Sequence, residues 1–86
     1  GFNVGNATPN PSNGTAVIGY EIPQSGKVVF TLFNSVGQQV TQNVLDQATA
    51  GKHNVQVNTA DLAAGVYMYN IEFNGQKMSN RLIVTK

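Results

Sequence analysis

The side chains able to do chemistry in this chain are few and scattered. His53 is the single histidine, and there is no cysteine. A zinc site at His53 would need several ligands and no cysteine or second histidine is available, and a lone imidazole has no obvious nucleophile to serve. His53 falls in strand phase with Val55 and Val57, which suits a part-buried imidazole with a hydrogen-bonded tip. The carboxylates Glu21, Asp46, Asp61 and Glu72 are dispersed. A glycosidase pair must be held across a cleft, for which a chain of this size has little room. Asp61 with Asn58 and loop carbonyls is open to two readings, a calcium site or loop capping, and capping needs fewer coincidences. Ser12, Ser25, Ser35 and Ser79 lie in turns or near strand ends without a nucleophile-elbow sequence. Gly26, Gly37, Gly51, Gly65 and Gly75 punctuate strands, and none opens a phosphate-binding helix. The expectation is a domain without catalytic residues, metal or cofactor.

Charge points the same way. Five Lys and Arg against four Asp and Glu leave a net charge of +1. Lys27, Lys52, Lys77, Arg81 and Lys86 form no run, so neither a nucleic-acid footprint nor a polybasic membrane anchor is present. Eleven Asn and seven Gln supply the polarity instead, which predicts weak charge steering of any partner. No apolar run approaches the ~18 residues of a membrane span, and Gly1-Phe2-Asn3-Val4 has no signal-peptide character.

The elements behind these residues read as strands. Apolar residues alternate with period two between closely spaced turns. Phe2 and Val4 alternate briefly in a short first strand, and residues 5–14, rich in Pro, Asn and Gly, are expected to be a turn-rich connection. Ala16, Ile18, Tyr20 and Ile22 share a face, as do Val28, Phe30 and Leu32 after the Pro23-Gln24-Ser25-Gly26 turn. Val29 and Phe33 fall on the opposite face and predict a partner-binding patch if exposed. After Asn34-Ser35-Val36-Gly37, a strand through Val40, Gln42 and Val44 is expected to end at Asp46, with residues 47–51 irregular. His53, Val55 and Val57 mark the next strand. Residues 58–65 form a compact loop with room for one short helical turn.

Tyr67, Tyr69, Ile71 and Phe73 share a face, which builds either a core or a sugar-stacking platform; in-phase aromatics on a central strand favour core. Asn74-Gly75 is a two-residue hairpin signal, because a type I′ turn needs positive φ at both positions. A last strand carries Met78, Leu82 and Val84, with Arg81 and Ile83 opposite. The fold class is therefore all-β, a seven-stranded antiparallel immunoglobulin-like β-sandwich forming one domain over residues 1–86, with 16–86 as its body. A closed barrel is the alternative.

Several motifs then stand in a particular order. Pro9-Asn10-Pro11 and Ile18-Gly19-Tyr20-Glu21-Ile22-Pro23 open the set. Gly51-Lys52-His53-Asn54-Val55 and Leu62-Ala63-Ala64-Gly65-Val66-Tyr67 follow, and Arg81-Leu82-Ile83-Val84-Thr85-Lys86 closes it. This ordered set resembles the type A carboxyl-terminal sorting domain of the type IX secretion system across essentially the whole chain. The family often carries Asp where Asn34 and Asn58 stand here, and an aromatic at Val57.

The resemblance implies a non-enzymatic domain at the end of an exported protein, covalently linked to an upstream cargo. It would pass through the periplasm to the outer-membrane surface or the medium. The partners it implies are an outer-membrane translocon or shuttle protein and a sortase-like protease that cleaves the domain away. The recognition motif would be Leu62, Gly65, Val66, Tyr67, Arg81, Leu82, Val84 and Lys86, with Pro9, Asn10 and Pro11 as an amino-terminal motif. Gly65 would serve a turn or close approach, Val66 and Tyr67 would lock the loop into the core as in a tyrosine corner, and Arg81 and Lys86 would offer cations to a receptor. The isolated domain is expected to be a monomer or an edge-strand dimer. The competing expectation is a carbohydrate-binding or generic immunoglobulin-like accessory module of a secreted enzyme.

Overall fold

In a computed structural model, which describes residues 2–8 and 14–85, the chain folds into seven strands and one 3-10 turn. The strands are β1 (Asn3–Thr8), β2 (Thr15–Ile22), β3 (Gly26–Phe33), β4 (Gln39–Ala48), β5 (Gly51–Asn58), β6 (Gly65–Phe73) and β7 (Gln76–Val84), and the turn spans Thr59–Asp61. Two antiparallel sheets result, one ordered β1-β2-β5 and the other β4-β3-β6-β7. This is the expected sandwich, not a closed barrel. Pro9, Asn10, Pro11 and Lys86 lie outside the described residues.

Alternation places the core. Ile18, Ile22, Leu32, Tyr69, Ile71 and Leu82 are almost wholly excluded from water between the sheets, with Phe30 and Tyr69 in ring contact at 6.0 Å. Tyr67, Tyr69 and Phe73 all belong to this core, so they form no exposed aromatic platform. β2, β3 and β6 thereby spend one face on burial, where every buried CH₂ contributes about 0.8 kcal/mol, and leave the other for solvent or a partner.

Turn chemistry closes the hairpins locally. Asn74 and Gly75 take φ of 51° and 79°, the left-handed pair that joins β6 to β7. Between β3 and β4, the Asn34 side-chain oxygen accepts from the backbone N–H of Val36 (3.1 Å) and Gln38 (2.9 Å). A carboxylate could accept the same two bonds, so Asn performs the role of Asp here and its amide also donates to Gln38. Strand boundaries differ from expectation at β1 and β4. β1 runs on past Val4 to Thr8, through residues expected as connection, because Ala7 and Thr8 pair with Ile18 and Val17 and Ala7 is buried. β4 runs on past Asp46 to Ala48, because Ala48 pairs with Gly26 and is itself buried at the core's margin.

The sheets are tied together along one side. The Tyr69 hydroxyl donates to the Gly5 carbonyl (3.0 Å), and the Asn80 amide donates to the Asn6 side-chain oxygen (2.6 Å), so β1 and β7 close against each other. Burial raises the phenol pKa of Tyr69, and of Tyr20, above the ordinary 10.0. The folded state therefore holds protons that the unfolded chain releases first. Their contribution is whole below about pH 10 and is lost as pH rises through the folded values. Urea melts at stepped pH are expected to show stability falling above about pH 10, and Tyr69→Phe should flatten that fall. An unchanged alkaline slope in Tyr69→Phe would refute this.

Candidate functional site

The sequence motif around residues 62–67 and the one at residues 81–84 meet in space. β6 and β7 pair in continuous register, with Gly65 opposite Val84, Val66 opposite Ile83, Tyr67 opposite Leu82 and Met68 opposite Arg81. Two motifs separated along the chain are thus one patch of sheet, zipped by backbone hydrogen bonds. Alternation then divides their side chains between two faces.

Tyr67, Leu82 and Val84 point inward and are buried, while Leu62 is half-buried against the core. The Tyr67 hydroxyl donates to the Ala63 carbonyl at 2.7 Å, tying the loop to the first turn of β6 in the manner of a tyrosine corner. The loop itself is pinned from below. The backbone N–H groups of Thr59 and Ala60 both donate to the Gly14 carbonyl (2.6 and 2.9 Å), and the buried Thr59 hydroxyl accepts from Gly14 N–H (3.0 Å). Asn58 caps the turn by accepting from Ala60 N–H, and its amide donates to the Asp61 carboxylate (both 3.2 Å). Those bonds show Asn58 and Asp61 capping a loop, and no cluster of three or more His, Cys, Asp or Glu side chains occurs among the described residues.

Of the two roles expected of Gly65, the backbone turn fits and the close approach does not. Apart from its chain neighbours, no heavy atom lies within 4 Å of where a Cβ would stand. Its φ of +155° is what an L side chain would resist. Val66 also departs from expectation. Val66 does not lock the loop into the core; it lies on the outer face of β6 and is 44% exposed, because β6 must point Tyr67 inward and its neighbours therefore outward.

That outer face of the four-stranded sheet carries the arrangement best suited to recognition. Val66, Met68 (41% exposed), Phe33 and Ile83 lie at one end, joined by cross-strand pairs of Val66 with Ile83 and of Phe33 with Met68. Arg81 is exposed beside Met68 and is the cation at this end among the described residues. Thr31 and Asn70 occupy the middle, and Val29 and Val44 extend the apolar surface towards β4. Lys27, Glu72 and Lys77 stand at the far end, where Glu72 and Lys77 are direct cross-strand partners of opposite charge. Phe33 and Val29 are half-buried and share this face, as their phase predicts. Met68 was not singled out by sequence reasoning, although its alternation with Tyr67 and Tyr69 places it beside Val66. An exposed apolar end with one cation can bind a complementary partner surface but presents no group poised for bond making.

His53 lies apart from this face. Its ring stacks on Tyr20 at 5.4 Å, and Nε2 meets the Thr49 carbonyl at 2.6 Å, which secures the connection between β4 and β5. This is the part-buried imidazole with a bonded tip.

Comparison with known proteins gives one family. Residues 6–85 match the family described as the secretion system C-terminal sorting domain. No curated protein matches the chain significantly.

Proposed function

Since the chain belongs to the family of type IX secretion C-terminal sorting domains, we propose that the apolar outer face of the β4-β3-β6-β7 sheet is the surface by which it is recognised for export. A protein carrying this domain holds a sorting signal, and a signal works by being bound. The observation that supports this surface is the union of the two motifs in one register. Their inward residues Leu62, Tyr67, Leu82 and Val84 anchor the two motifs in the core, and their outward residues Val66 and Arg81 stand next to Met68 and Ile83 on the opposite face. Most of the motif acts as scaffold; a smaller outward set makes the contact.

The mechanism follows from those placements. A translocon or shuttle protein of the outer membrane covers Val66, Met68 and Phe33, removing apolar surface from water, and offers a carboxylate or carbonyl to Arg81. The weak overall field leaves encounter unsteered, so discrimination rests on shape and on the apolar contact. The upstream cargo crosses as a passenger, and a sortase-like protease then removes the domain. Lys86, Pro9, Asn10 and Pro11 belong to the same expectation and lie outside the described residues.

Fusing residues 1–86 behind a periplasmic reporter, in a host that possesses the secretion machinery, tests the proposal. The reporter is expected at the cell surface or in the medium with the fusion, and in the periplasm without it. A fused, folded domain that leaves the reporter in the periplasm would overturn it.

A further inference from the structure

Four strands face three in this sandwich, and the mismatch falls at one side. Because β1 and β7 close against each other, β4 overhangs at the opposite side, with no strand of the smaller sheet across from it among the described residues. Every residue of β4 but Ala48 is exposed, and Leu45, on the face that looks towards the smaller sheet, is 47% exposed. Between β4 and β5 runs a groove formed by two pockets of about 250 and 340 Å³, which share Phe30, Asn43 and Gln56 as walls. Its floor is the margin of the core itself. The position is that of a missing fourth strand beside β5.

We propose that this groove takes an extended segment of another polypeptide, which pairs with the free edge of β5 and completes the smaller sheet as β1-β2-β5-strand. Three observations favour β5 over the edges of β4 and β1; the β7 edge is equally regular but lies on the side closed against β1. β5 pairs with β2 over eight residues without a register shift, so its outer edge is straight. β4 carries an extra residue against β3 at two places, and β1 carries one against β2; such bulges twist an edge away from further pairing. Only a strand on β5 would lie across from β4 and cover Leu45 and Phe30, whereas a strand on β4 would leave the groove open. The occupant's chemistry follows from the walls. Asp61, at one end, is the sole charged residue lining the groove among the described residues, so an uncharged strand with alternate apolar side chains and a cation at the end nearest Asp61 is complementary. Backbone bonds to β5 supply affinity, and apolar side chains entering the groove supply selectivity. This site is separate from the outer face described above, and its failure would leave that reading intact.

The test uses an end-capped heptapeptide that begins with lysine and then alternates threonine with valine. Antiparallel pairing with β5 sets its lysine beside Asp61. Amide hydrogen exchange by NMR on the isotopically labelled chain is expected to slow at amides between Asn54 and Asn58 when peptide is added below about 1 mM. The same peptide with alternate backbone nitrogens methylated is expected to lose that protection. Leu45→Lys, an exposed substitution that places charge in the groove, should weaken binding about tenfold or more while the remaining core protection persists. No protection at β5, protection confined to the β4 or β7 edge, or equal binding of the methylated peptide would overturn the proposal. Protection of β5 that grows with protein concentration alone would overturn it too, by making a second copy the occupant.

Discussion

Changing Val66 and Met68 together to glutamate is expected to stop surface delivery of a fused reporter while the sandwich stays folded. Both side chains stand on the outer face at 44% and 41% exposure, so neither fills a core position. The fold loses only the part of their surface already covered, and a carboxylate at position 68 would stand directly across the ladder from Arg81. A cost of about 1–2 kcal/mol would lower the melting temperature by roughly 5–15 °C in a domain of this size. Recognition should suffer far more. A partner that covers this apolar end would have to bury two added carboxylates, at least one of them without a counter-charge. Losses of 2 kcal/mol or more are usual for such central contacts, about thirtyfold in affinity. Reporter at the surface should therefore fall at least tenfold against the parent fusion, with circular dichroism unchanged. Gln24→Glu with Ser25→Glu, in the exposed turn between β2 and β3, adds the same charge elsewhere and should export normally. Normal export by the Val66 and Met68 variant would remove this face from consideration.

The second large effect separates scaffold from contact. Leu82→Ala should unfold much of the population at 37 °C and abolish export by that route. Leu82 is fully buried across the ladder from Tyr67. Truncating it removes transfer free energy and leaves a cavity, together about 2–5 kcal/mol. A domain of 86 residues has a total stability of about 4–13 kcal/mol, so this one change consumes a large share of it. Thermal melts should show a fall of roughly 10–30 °C. Leu82→Met, which conserves volume and apolarity, should cost less than about 1.5 kcal/mol and restore export. If Leu82→Ala instead melted like the parent and still failed to export, Leu82 would be a contact residue and the division of the motif proposed here would be wrong.

The contrast between these variants explains why a linear motif can mislead. Leu62, Gly65, Val66, Tyr67, Arg81, Leu82, Val84 and Lys86 read as one recognition string, yet of the seven that the structure describes four are turned wholly or partly into the sandwich. Loss of export on mutating Tyr67 or Leu82 would say little about what the receptor touches. Only residues whose removal leaves the fold standing can report on the contact.

Period two along each strand and the chemistry of the turns are local properties, and for that reason they were readable in the chain. Alternation at Ala16–Ile22 and Tyr67–Phe73, the φ demands of Asn74-Gly75, the capping residue Asn58 and the bonded tip of His53 all predict what the structure contains. The end of β4 was less legible, since Ala48 continues the strand by pairing with Gly26, more than twenty positions away in sequence. Register is of the same kind. That Val66 meets Ile83 depends on the β6–β7 hairpin, but that Phe33 meets Met68 depends on β3 pairing with β6, and no local pattern encodes it. The amino-acid order by itself determined an all-β sandwich with a neutral, amide-rich surface and the family to which it belongs. Tertiary structure alone decided that Phe33 of β3 joins Val66, Met68 and Ile83 on one face, and that four strands oppose three and leave a groove beside β5. The physical reason is that strand formation answers to near neighbours, whereas which strands lie side by side, and which faces they then hide, is settled by long-range burial.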